Sequence, residues 1–122
     1  MAVNISDALA FALAAFFGMC AQAHVTDKLT PAFAQMVEAS LEPLNEKLLW
    51  FLGVTTGTLN SLLLSINVVL VSLLVPRPTR RLGLLFSVFF LSIGFTGDIV
   101  TDSAVSAHVI LISGALIALT LR

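Results

Sequence analysis

Four long apolar runs, at about residues 6–25, 48–75, 82–100 and 104–121, take up most of this chain and decide what it can fold into. Only 11% of its 122 residues are charged, against 58% hydrophobic. A soluble domain carries about a quarter charged residues, so this chain cannot cover its own surface with polar groups. A bilayer core needs about 20 apolar residues per helix, and the runs match that length or nearly so. They lack period-two alternation and are too few to close a barrel, which leaves helices as the spanning element. The expected fold is all-α, a four-helix transmembrane bundle built as a single integral membrane domain over residues 1–122. The second run exceeds the need of a span, which predicts tilt or protrusion.

The first run has a competing reading as a secretory signal. "AQA" at 21–23 is an A-x-A-like cleavage site, but no Lys or Arg precedes the run and Asp7 stands where positive charge is wanted. We retain it as a helix. Orientation follows from the cations. Arg77, Arg80 and Arg81 lie between the second and third runs and Arg122 closes the chain. With four spans these share one side with both termini, expected to be cytoplasmic. Lys28 and Lys47 fall on the other side, among Asp27, Glu38, Glu42, Glu46 and Asp102. The membrane would be the endoplasmic reticulum in a eukaryote and the inner membrane in a bacterium.

The outer link contains a short amphipathic interfacial helix at about 31–41. Thr30 and Pro31 read as its N-cap and first residue, and Pro43 as its stop. Leu29, Phe33, Met36, Val37, Leu41 and Leu44 recur at helical spacing opposite Gln35, Glu38 and Glu42. Such a helix lies in the interface or connects and caps its neighbours.

Net charge is −1, so there is no basic field for nucleic acid. One cysteine, Cys20, excludes disulfide scaffolding and dithiol chemistry. No Asp, Glu, Lys or Arg sits in the middle of a run, which argues against a proton-coupled pump. Asp7 is too close to the start of its helix to serve as the carboxylate of a small multidrug exporter. In the second run Asn60 and Asn67 share a face, Thr56 lies one turn before Asn60, and Gly53 and Gly57 form a G-x-x-x-G pair. These residues serve interhelical packing and hydrogen bonding, or they line a ligand cavity.

"TGDIVTDSAVSAHVI", residues 96–110, places two carboxylates and an imidazole beside the third and fourth runs. Under the expected topology His24, Lys28, Asp98, Asp102 and His108 gather at one depth on the outer side. Ionisable groups near lipid must pair or face water, so a shared outer vestibule is expected. Two readings stand. The charges mark helix ends, which leaves His108 inside an apolar run unexplained, or His and Asp bind or protonate a ligand. A metal site lacks ligand spacing such as H-x-x-x-H. No metal or other cofactor is expected. The candidate ligand-binding residues are His24, Lys28, Asn60, Asn67, Asp98, Asp102 and His108.

A family likeness follows from the order of short motifs. "KLTP" at 28–31 precedes "AFAQM", "LLVPRP" closes the second run at 73–78, "GD" lies at 97–98 and "SAHVILISG" opens the fourth run at 106–114. This order resembles the DoxX-like four-helix membrane proteins, especially the small eukaryotic branch that includes the nicotinic-receptor assembly chaperone. The resemblance implies family positions for Lys28, Pro31, Pro76, Pro78, His108 and one acid, Asp98 or Asp102. It also implies an assembly or accessory factor for another membrane protein, or a binder of a small lipophilic ligand. The alternative is a membrane-embedded enzyme (isomerase, cyclase or oxidoreductase) acting on a lipophilic substrate. There His108 and Asp98 would be acid and base, and Lys28 would hold an anionic group. A small transporter ranks third. The partners expected are the bilayer and either another membrane protein or a lipophilic small molecule.

Overall fold

A computed structural model describes residues 4–122. Among them the chain is helical with no strand: α1 (Ile5–Val25), α2 (Pro31–Lys47), α3 (Thr56–Leu74), α4 (Arg80–Val100) and α5 (Ser106–Thr120). Single 3₁₀ turns lie at Trp50–Leu52 and Arg77–Thr79. Three segments, Ile5–Val25, Thr56–Leu74 and Arg77–Val100, are long and apolar enough to cross a membrane. α5 is equally apolar but has 15 residues, a rise of about 22 Å.

α1 starts where the Asn4 side chain accepts from Asp7 N at 2.7 Å, satisfying one of the first-turn donors that have no partner within the helix. α1 packs on α3 and α5, and α4 packs on the same two helices. Small residues allow this close approach. Ala10 and Ala14 of α1 and Ala115 and Ala118 of α5 are buried beside Phe17, Leu70, Leu74, Leu84 and Leu91. Ser6 Oγ donates to Ala118 O at 2.7 Å, tying the start of α1 to the end of α5. Large apolar side chains such as Phe86, Phe89 and Ile110 point outward, as expected for a surface whose solvent is lipid.

The structure corrects several boundaries. The second run does not form one long helix from Leu48. The chain turns through Trp50–Leu52, Gly53 takes φ 65°, and α3 begins only after Thr55, whose hydroxyl accepts from Thr58 N. An apolar run gives no sign of such a break, because aromatic and aliphatic residues also suit the membrane interface. Trp50 and Phe51 are exposed at the turn. The G-x-x-x-G reading falls with it. Gly53 lies outside the helix, and a Cβ on Gly57 would touch nothing closer than Thr55 Oγ1 at 3.9 Å.

Pro43 does not stop α2, which continues to Lys47. The ring removes one helical hydrogen bond, yet the flanking Leu41 and Leu44 hold the extra turn against the other helices. Leu41 is buried, and a Cβ on Gly97 would come within 2.7 Å of Leu44 Cδ1. α2 thus lies on α1, α3 and α4, near the ends where α1 and α4 finish and α3 begins. α4 starts at Arg80, two residues before the run suggested, and α5 is shorter than 104–121.

Candidate active site

Beneath α2 lies a cavity of about 450 Å³. Its roof is Met36, Val37, Ala39, Ser40, Pro43 and Leu44 of α2. Its walls include Phe16, Cys20 and His24 of α1, Leu63 and Asn67 of α3, Phe90, Leu91, Gly94 and Asp98 of α4, and His108 of α5. The lining is mostly apolar with a few convergent polar groups, as in small-molecule sites.

The chemistry concentrates where α4 meets α5. α4 ends at Val100, and Asp102 takes φ 56° to reverse the chain. Ser103 N donates to Asp98 O at 2.8 Å, so Asp98 stays in the last turn of α4 while α5 returns beside it. His108, in the first turn of α5, pairs through Nδ1 with Asp98 Oδ2. A carboxylate only accepts, so it selects the tautomer with the proton on Nδ1 and leaves a lone pair on Nε2. Nε2 lies over Gly94, where a Cβ would come within 2.5 Å of it. The bare Cα is what lets the Nε2 edge of the imidazole approach α4 so closely. Both partners are partly shielded, with His108 at 29% and Asp98 at 19% side-chain exposure.

A second imidazole faces the same cavity. His24 Nδ1 lies 2.6 Å from Asn60 Oδ1, and Asn60 Nδ2 donates to His24 O at 3.2 Å. The two residues clamp the end of α1 to the start of α3. His24 and Asn60 also line an open polar groove on the far side, with Asp27, Glu38 and Glu42.

Of the residues singled out from the sequence, His24, Asn67, Asp98 and His108 therefore share one cavity, and Asn60 supports it through His24. The single vestibule holding all five ionisable residues does not form. Lys28 is exposed and lines neither the cavity nor the groove. Its backbone N–H donates to Thr26 Oγ1 at 3.2 Å. Asp102 is exposed at the positive-φ turn and is likewise absent from the lining. A place near the same end of the helices does not turn side chains toward one another. Cys20, Gly94 and Phe90 line the cavity without a signal in the sequence, and helix packing alone brings them there. Met36, Val37 and Leu44 of the roof, by contrast, lie on the apolar face read from the spacing of α2.

At the opposite end Asp7 proves to be a partner of two cations and not a stray charge at a helix start. Arg80 NH1 donates to Asp7 Oδ1 at 2.7 Å, and Arg122 NH1 reaches the same oxygen at 3.2 Å. Arg80 Nε donates to Leu74 O at 2.8 Å, its NH2 reaches Val75 O, and Phe11 lies 4.5 Å beneath its Cζ. One buried guanidinium thus caps the end of α3 and joins it to α1.

No family model matches the chain, and no solved structure matches it. Among curated proteins it is 33% identical over 109 residues to the cyclic ether formation enzyme xenC of Xenoacremonium sinensis, covering 89% of each chain. It is 38% identical over 94 residues to the cyclic ether formation enzyme gkaZ of Penicillium citrinum, covering 77% of this chain and 73% of that one. With similarity along most of both lengths, this chain belongs to the same family as these cyclic ether formation enzymes.

Proposed function

We propose that the protein is a membrane-embedded enzyme that closes a cyclic ether in a lipophilic substrate, with His108 as its base. The observation that carries this reading is the His108–Asp98 pair in the wall of a largely apolar cavity. His108 Nε2 takes the proton from a substrate hydroxyl as that oxygen forms its bond to an electrophilic carbon. Asp98 orients the imidazole and stabilises the imidazolium. The carbon's displaced electron pair then receives a proton, so the closure is redox-neutral. The His108 imidazolium returns its proton to that electron pair, and His24, held by Asn60, lines the same cavity from α1. The cavity folds the substrate and keeps its ends together, which supplies the entropic part of the acceleration.

In the membrane, α1, α3, α4 and α5 form a four-helix transmembrane bundle and α2 lies in the outer interface as the roof. Both chain ends and the Arg77–Arg81 turn face the cytoplasm. The mutual packing of those four helices, their lipid-like exterior and the bias of Lys and Arg support this arrangement. The proposal keeps the DoxX-like likeness for the architecture alone and takes the reaction class from the cyclic ether relatives. An assembly-factor role has only that likeness behind it, whereas the enzyme reading has both the relatives' names and the dyad.

Deleting the gene and weighing what accumulates tests this. An uncyclised hydroxy compound isomeric with the lost ether supports the redox-neutral closure, as does one heavier by a water. A precursor heavier by two hydrogens means an oxidative closure and overturns it.

A further inference from the structure

Asn67 is only 3% exposed, and its amide is half used. Nδ2 donates to Leu63 O at 2.7 Å, while Oδ1 is buried and accepts nothing from any described residue. Flipping the amide does not help, because it would set two carbonyl-type oxygens against each other. The orphan acceptor belongs to a side chain that lines the cavity, among Leu63, Phe90 and Leu91. A buried acceptor left without a donor is costly and needs an explanation.

The helix register says where this acceptor lies relative to the dyad. A Cβ on Gly83 would come within 3.0 Å of the Leu73 and Leu74 backbone, so these positions of α3 and α4 face each other. Counting antiparallel from that contact sets Asn67 level with Phe90. Asp98 lies about two turns further along α4, roughly 12 Å away. The cavity therefore has an acid–base end under α2 and a single acceptor at its deep end.

We propose that Asn67 Oδ1 is the recognition point for a second hydrogen-bond donor, a hydroxyl or amide N–H, on the deep-seated end of the substrate. The substrate class is an elongated lipophilic molecule with that donor roughly 12 Å, along the helix axis, from the hydroxyl that reacts. Asn67 would set specificity by rejecting analogues that cannot donate, which leave its oxygen unpaired. This inference rests on the enzyme reading for the identity of its ligand, but its test does not require turnover.

The probe is a long-chain primary alcohol carrying a diazirine in its chain, compared with the O-methyl ether of the same compound. Each is photolysed with the purified full chain in detergent, and the labelled peptides are identified by mass spectrometry. The wild-type chain is expected to be labelled at residues 63–67 and 90–98 about tenfold more by the alcohol than by the ether. Asn67→Leu should abolish that preference and His108→Gln should keep it. Equal labelling of the wild type by both compounds overturns the proposal, and so does no labelling in the cavity. A preference that survives in Asn67→Leu, or that disappears in His108→Gln, moves the hydroxyl to the dyad and overturns it too. If Asn67→Leu fails to fold, the alcohol–ether comparison on the unaltered chain and on His108→Gln still decides between Asn67 and the dyad. Loss of turnover in His108→Gln tests the enzyme reading separately.

Discussion

At the scale of single residues, the strongest expectation concerns the dyad. His108→Gln removes the proposed base, and Asp98→Asn releases the tautomer that presents Nε2. Each should lower turnover by about 10²- to 10⁴-fold, the usual worth of a positioned acid or base. The double variant should be little worse than either, because the two residues act as one unit. Both side chains are partly exposed, so melting in detergent should shift by no more than about 1 kcal/mol of stability. Turnover in reconstituted membranes and the melting curve together check this. Lys28→Ala and Asp102→Asn should leave turnover unchanged, since neither side chain lines the cavity. A large loss in either would mean that the outer vestibule forms after all.

Between elements, two glycines of α4 separate catalysis from packing. Gly94→Ala would bring a methyl to within 2.5 Å of His108 Nε2. That neighbour is the end of a side chain and can rotate away. The expected result is a folded protein whose turnover falls as far as that of His108→Gln. Gly83→Ala meets the Leu73 and Leu74 backbone at 3.0 Å, and backbone cannot rotate away. There the helices must part, at a cost of about 1–3 kcal/mol typical of overpacking, with the remaining folded fraction still active. Melting and turnover measured on both variants check the contrast. α2 belongs to the same scale. Its Leu44 presses on α4 at Gly97, so the roof is held by the helix that carries Asp98.

For the molecule as a whole, the two ends of the bundle differ in kind. One holds the cavity, and the other is closed by Asp7, Arg80 and Arg122, which gather the start of α1, the end of α3 and the chain end. Removing one partner of a buried pair strands the other. Arg80→Met should therefore lower the melting temperature in detergent more than any cavity substitution does, and a smaller shift than that of His108→Gln would reject the assignment. The same end carries the exposed Arg77. In the proposed topology it faces the cytoplasm, so a cysteine at Arg77 in a Cys20→Ser background should be labelled by an impermeant maleimide only in inside-out vesicles. Labelling in right-side-out vesicles would reverse the topology.

The amino-acid pattern alone determined the fold class, because an 18-residue apolar helix in water is untenable whatever it packs against. Three span-length apolar helices and a separate helix starting at Pro31 follow from the same pattern, since each rests on hydropathy and periodicity along one helix. What hydropathy cannot see is a break within apolar sequence. The turn at Trp50–Gly53 was hidden because its residues suit the interface as well as the core. Pro43 was misread because a helix held by its flanking leucines tolerates a lost hydrogen bond. Tertiary structure alone decided which ionisable residues meet. Hydropathy sets His24, Lys28, Asp98, Asp102 and His108 near helix ends expected on one side, but contact depends on the rotation of each helix about its own axis. That rotation is set by close approaches such as Gly94 against His108 and Gly83 against Leu73, which no single helix encodes. For the same reason Asp7 read as a lone charge near a helix start until α4 and the chain end were packed beside it.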